Sequence, residues 1–357
     1  MWLVFTIALG VYAALWLRAY LARDLEDRGY LSPDEAEQEI SQLAADHPAI
    51  AELEEIGKSG EGEPIRALRL RAGNGGARAR LLVTAHIHAV EYIGSAVARR
   101  MARDLCQGFG RDAAITSLLE RAEVWIVPLA NPDGARRVWR RGGWSGLGAS
   151  RFTSGAVDPN RNFPTAFRSV GRAMSGGRAW NSARDRAGSA YYRGPHPLSE
   201  PECLALARLA RRERFCGAIN FHSFGAVVYL PAVPGDHAAT DALAVFQGEF
   251  QSRQRMRRYR PVPERSVAIA GQLDAFLLEA FGTPSVTVEV GRPSWHVLQP
   301  SRLGCAFWIA NPASPERWIE NDAPAAIHAL TALLARTGGE PCEPIAPELV
   351  QAVDALD

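Results

Sequence analysis

The sequence predicts an α/β fold, and three observations predict it. Short apolar runs with strand character alternate with stretches of helical spacing. The residues able to do chemistry stand where such runs end, after Ala85, Ala130 and Phe221, and ligands of open α/β sheets bind at the carboxyl ends of strands. The composition, 47% hydrophobic and 22% charged over 357 residues, is that of an ordinary globular protein with enough chain for a substantial core. A net charge of +1 leaves no nucleic-acid footprint, so no nucleic-acid partner is expected. Five cysteines without Cys-x-x-Cys spacing imply buried thiols, with no disulfide framework.

In chain order, Trp2 to Leu17 come first, sixteen residues without a charge, lengthened to about twenty-two if Arg18 snorkels. With Trp2, Trp16 and Tyr20 as interfacial anchors this reads as an N-terminal transmembrane helix. A cleaved signal peptide is the competing reading, but it lacks a basic n-region and an Ala-x-Ala site. Arg18, Arg23 and Arg28 on the carboxyl flank favour a cytoplasmic side for the rest of the chain. Next, Ser32 before Pro33 with acids in the first turn predicts an N-cap and a helix to about Asp46. Gly73 to Gly76 reads as a turn.

Leu81 to Ala85 then form a buried strand, and Ala96 to Leu105 follow with helical spacing. His88 and Glu91 fall between them and read as two ligands of one zinc ion, which takes imidazole nitrogen and carboxylate oxygen. Such a tetrapeptide arises often by chance at a helix start, so the pair needs company. Three further stretches supply it. Asn131-Pro-Asp-Gly134 follows the run Val124 to Ala130; Asp158-Pro-Asn-Arg-Asn-Phe163 lies downstream; Phe221-His222-Ser223 ends the run Gly217 to Phe221. Ser199-Glu-Pro-Glu202 reads as a capping box opening a helix to about Arg214, and Ser169 to Ala190 as a surface loop. Ser285 to Val290 alternate around Glu289, as a solvated edge strand or a strand delivering a catalytic base would.

In this order along one chain the motifs resemble those of zinc carboxypeptidases of the carboxypeptidase A type, from about Tyr30 to Gly338. Ile56-Gly-Lys-Ser-Gly-Glu-Gly-Glu-Pro-Ile65 is similar to the family's opening strand and turn. The resemblance implies a single α/β domain with a mixed, mainly parallel twisted sheet flanked by helices. It divides the chain into an anchor or signal segment (1–28), a catalytic domain (29–338) and a tail (339–357). It implies one zinc held by His88, Glu91 and His222, and Asp158 fixing the tautomer of His88. Asn160 and Arg161 would hold the free carboxylate of a peptide substrate. Arg140, beside Trp139, would face the scissile carbonyl, with Arg137 as substitute, and Glu289 would activate the water held at the zinc. The activity implied is hydrolysis of the C-terminal amide bond of peptides.

Aligning Gly271-Gln-Leu-Asp274 with the family's Gly-x-x-Asp puts Leu273 at the position that sorts substrates, predicting apolar or aromatic terminal residues. The same alignment puts Ser266 where digestive relatives carry a tyrosine that closes over the substrate; Tyr259 is the nearest tyrosine. That departure brings forward a murein peptide amidase, similar in Asn-Arg-Asn-Phe-Pro and Ser-Glu-Pro-Glu, as the alternative. A zinc-binding module without catalysis is the alternative of another class, and the presence of Glu289 argues against it.

Overall fold

Eight strands hydrogen-bond into one sheet in the computed structural model, which describes the chain apart from residues 1, 23–28, 74–78, 145–149, 166–184, 232–236, 265–269, 294–301, 303, 341 and 357. The expected turn at Gly73–Gly76 and loop at Ser169–Ala190 lie largely outside the described residues, and Ser266 lies outside them altogether. The strands are β1 (Ala51–Lys58), β2 (Pro64–Leu70), β3 (Ala79–Ala85), β4 (Ala122–Val127), β5 (Gly217–His222), β6 (Val227–Pro231), β7 (Arg260–Glu264) and β8 (Ser285–Glu289). Their order is β1-β2-β4-β3-β5-β8-β6-β7. Four of the seven neighbouring pairs are parallel, so the sheet is mixed and mainly parallel, as expected.

The central strands are apolar on both sides because helices cover both faces. One face packs against the helices Pro33–Asp46, Tyr92–Gly108, His237–Arg253 and Pro315–Thr337, through Ile40, Val97, Met101, Phe246 and Leu333. The other packs against Pro201–Glu213, Leu273–Phe281 and Pro347–Asp354, through Leu206, Phe276 and Val353. Strand β8 lies between β5 and β6, so Ser285–Glu289 is an interior strand and its alternation does not mark a solvated edge. Gly94, in the first turn of its helix, is required by space: a Cβ there would meet the Phe221 carbonyl oxygen at 2.9 Å, so only glycine lets the helix approach β5 this closely.

The first cap is as read: the Ser32 hydroxyl accepts from the Glu35 N–H, and the Glu35 carboxylate accepts from the Ser32 N–H. The second is not. The helix Pro201–Glu213 has Glu200 as its N-cap with no side-chain cap bond, and the Ser199 hydroxyl donates to Glu200 Oε1 instead. Four of the five cysteines are buried and all five are free thiols.

The N-terminal segment requires a correction. A helix forms over Trp2–Ala22, and its described side chains, residues 5–14 and 17, include exposed Phe5, Ile7, Leu9 and Val11. Among the described residues no helix is long and apolar enough to cross a membrane, so the transmembrane helix and membrane anchor of residues 1–28 are not supported. Arg23 and Arg28, which with Arg18 carried the expected orientation, lie outside the described residues.

Candidate metal centre and active site

The ligand loop follows from where β3 stops. Beyond Ala85, His86 turns left-handed (φ 58°), and Glu91 serves as N-cap of the helix Tyr92–Gly108, so His88 and Glu91 sit on the strand-to-helix junction that their sequence suggested. Two asparagines clamp this junction. Asn131 caps its own helix by accepting from Gly134 N–H, and its amide donates to the Ile87 and Phe152 carbonyls. Asn311 accepts from Ile93 N–H and donates to the Val90 carbonyl. Neither role was legible from the sequence: the Asn-Pro-Asp-Gly motif marked a place of interest, but its partners are remote in the chain.

The third donor arrives from the neighbouring strand. His222 ends β5, and its Nδ1 stands 2.9 Å from Glu91 Oε2 and 3.1 Å from His88 Nδ1; His88 Nδ1 is 2.8 Å from Glu91 Oε1. All three residues are buried, and their donor atoms lie within 4.8 Å of one another. Burial would raise the Glu91 carboxyl, but His88 and His222 hold it well below the ordinary carboxylate range; burial lowers the His222 imidazole and keeps it neutral. Two imidazoles and an ionised carboxylate converging in a buried pocket fit zinc, which takes these donors and leaves a position open in catalytic sites.

Behind the donors, His88 Nε2 is 3.1 Å from Asp158 Oδ1, the expected partner. Donation from Nε2–H to Asp158 leaves Nδ1 bare toward the donor cluster, the tautomer a metal ligand needs. Burial would raise Asp158, yet Arg151, then Arg161 and His88, hold it far below the usual range. Arg151 donates to Asp158 Oδ2 at 3.0 Å and its Nη2 lies 2.8 Å from His88 Nε2. That second contact and the Nε2–H donation belong to different tautomers.

Of the arginines in this region, it is Arg151 that the structure brings to His88. Arg140 ends the helix Pro132–Arg140 with its side chain exposed, while its neighbour Trp139 stacks on Tyr92 in the core. Arg137 donates to the Phe152 and Thr153 carbonyls. The guanidinium standing at His88 is that of Arg151, which the sequence reading passed over. Its separation of seven residues from Asp158 on one loop was the available signal, masked by the denser cluster of arginines around Trp139.

Asn160 and Arg161 come next to Leu273. Asp158 caps the short turn Pro159–Arg161; Asn160 Oδ1 accepts from the Leu273 N–H at 3.0 Å, and Arg161 Nη1 donates to the Asn160 carbonyl at 2.5 Å. Gly271 makes this packing possible, since a Cβ there would fall 2.1 Å from the Arg161 carbonyl oxygen and its φ is 82°. Glu289 sits directly beside His222, paired with it in the parallel β5–β8 register, and its side chain is half-buried. Below them a polar ladder crosses the sheet: Thr84 donates to Asn220, and Asn220 to Ser285. Tyr259 does not line the cleft; it is buried and donates to Asp322. His86 Nε2–H donates to the Ala89 carbonyl within its own loop, and burial lowers the imidazole to about 4, as befits a bystander.

Residues 36–280 match the family model described as zinc carboxypeptidase, Peptidase M14. The chain belongs to the zinc carboxypeptidase family. Among curated relatives it is 30% identical to carboxypeptidase A2 of Mus musculus over 260 residues, 69% of this chain and 58% of that protein. It is also 30% identical to carboxypeptidase A4 of Mus musculus over 200 residues, 54% and 44%. The matched region thus spans about half the length of these relatives. In fold this family member is similar to thrombin activatable fibrinolysis inhibitor (TM-score 0.67, 22% identity, covering 86% of this chain and 74% of that one). It is similar also to carboxypeptidase A from Helicoverpa armigera (TM-score 0.64, 18% identity, covering 93% and 80%). Zinc is the metal of this family, and the His88–Glu91–His222 group is where it fits.

Proposed function

We propose that residues 29–338 form a metallocarboxypeptidase that hydrolyses the C-terminal amide bond of peptides. The observation that carries this reading is the pairing of His222 with Glu289 at the ends of adjacent strands, facing the donors His88 and Glu91. Bound zinc would supply Lewis acidity, polarising the scissile carbonyl and acidifying water. The remaining work falls to side chains. Arg161, with Asn160, takes the substrate's terminal carboxylate, for which a planar guanidinium offers a bidentate fork. Glu289 accepts the proton of the attacking water and returns it to the leaving amine. Arg151 stabilises the negative charge that develops on the carbonyl oxygen, the task first expected of Arg140. Leu273 presents no acid to the terminal side chain, which favours apolar or aromatic residues.

One observation supports a second substrate reading. Tyr259 is committed to Asp322 in the core and is not the residue that closes over a peptide carboxylate, which suits a murein peptide amidase. A panel of peptides with apolar, basic and acidic carboxyl termini, offered beside a murein tripeptide, separates the two. Preferential release of apolar terminal residues is the expected result. Release only of diaminopimelate selects the amidase, and preferential release of arginine or lysine removes Leu273 from the pocket.

A further inference from the structure

Arg253, Arg255, Arg257, Arg258 and Arg260 place five exposed arginines in eight positions of a chain whose net charge is only +1. Among the described residues none of the five forms an ion pair. Their backbone is held firmly from below. Asn321 accepts from the Met256 and Arg257 N–H groups and donates to the Arg257 carbonyl; buried Gln254 accepts from the Tyr259 N–H and donates to Asp322. A solvated basic run needs no such buried scaffold.

The run also ends beside the site. Arg260 opens β7 paired with Val227, and Val227 is paired with Glu289, so Arg260 lies two strand spacings, about 10 Å, from the base. The Tyr259 hydroxyl accepts from the Gly291 N–H, joining the run to the segment that leaves Glu289, where Arg292 is exposed too.

We propose that this arginine rim is a subsite for acidic peptides, binding side-chain carboxylates upstream of the scissile bond. The inference rests on the peptidase reading above and adds its substrate class. Ten ångströms is about three residues of extended chain, so the carboxylates concerned lie within the first few residues before the cut. Exposed charges attract weakly one by one but add over a cluster, and salt screens them.

The test compares two peptides sharing one apolar terminal residue, one with three glutamates and one with three glutamines upstream, in the zinc-loaded protein and in the triple variant Arg255→Glu, Arg258→Glu, Arg260→Glu. The wild type should favour the acidic peptide in kcat/KM by about tenfold at low salt, fading near 0.5 M, and the variant should lose that preference while cleaving the glutamine peptide within about twofold. A milder pair, Arg258→Gln with Arg260→Gln, should show a partial loss. Anisotropy of the same labelled peptides on zinc-loaded Glu289→Gln reads binding without turnover. If neither peptide is cleaved yet the acidic one binds more tightly and loses this in the arginine variant, the peptidase reading falls and the subsite stands. Equal binding of both peptides overturns the subsite, as does capture by anionic vesicles without discrimination between peptides.

Discussion

The donor cluster of His88, Glu91 and His222 and the cluster of Asp322, Tyr259, Gln254 and Asn321 are both buried, yet they satisfy their polar atoms in opposite ways. In the second, each carboxylate oxygen of Asp322 has a donor: Gln254 at 2.8 Å and Asn321 at 2.7 Å on one, Tyr259 at 2.5 Å on the other. It is complete as it stands, and its work is to hold a loop. In the first, the tautomer a metal ligand needs has His88 give its Nε2 proton to Asp158 and turn a bare Nδ1 toward Glu91 and the His222 Nδ1. Acceptors face acceptors there, and a cation at their centre is what relieves them. A buried polar cluster is thus a ligand site when its hydrogen bonds do not close on themselves.

The largest effect should come from opening the donor cluster. His222→Ala should abolish both bound zinc, by elemental analysis, and activity; full zinc occupancy in that variant would erase the distinction between the clusters. Glu289→Gln should keep its zinc and lose about 10²–10⁴-fold in kcat, and wild-type turnover would remove the residue from the base's role. Arg151→Ala should cost about 10²–10³-fold in kcat, whereas Arg140→Ala should stay within about twofold; the reverse order would restore the sequence-based choice.

The self-satisfied cluster should answer in stability instead. Tyr259→Phe leaves a buried carboxylate oxygen without its donor and should lower unfolding free energy by about 1–3 kcal/mol in denaturant melts, with zinc content unchanged. Loss of zinc in that variant would show that the two clusters are not separable. The smallest effect concerns pH. Burial raises Asp322 to about 7, so the folded state holds a proton that the unfolded chain releases near pH 4. That contribution to stability is complete below pH 4 and is lost as pH rises to 7. Asp322→Asn should flatten this part of the decline, and an unchanged slope would mean that Asp322 is ionised throughout.

Much of this molecule was legible because its signals are local. The periods of β3 and β5, the cap at Ser32 and the motifs carrying His88, Glu91, Asp158 and His222 depend on near neighbours in the chain, and the structure brings His88, Glu91 and His222 together with Asp158 behind His88. The apolar N-terminus is borne out only in part: its run of apolar letters predicts a helix, and one forms over Trp2–Ala22, but among the described residues a membrane crossing is not supported. What the sequence by itself determined was the α/β class, the residues that meet at the strand ends and, through them, the zinc chemistry of the family. Only the tertiary structure decided which arginine faces His88, that β8 is interior, that Tyr259 belongs to Asp322, and that an arginine run adjoins Glu289. Those depend on which strands and loops become neighbours, and long-range contacts between oppositely charged or hydrogen-bonding groups leave no period in the chain that announces them.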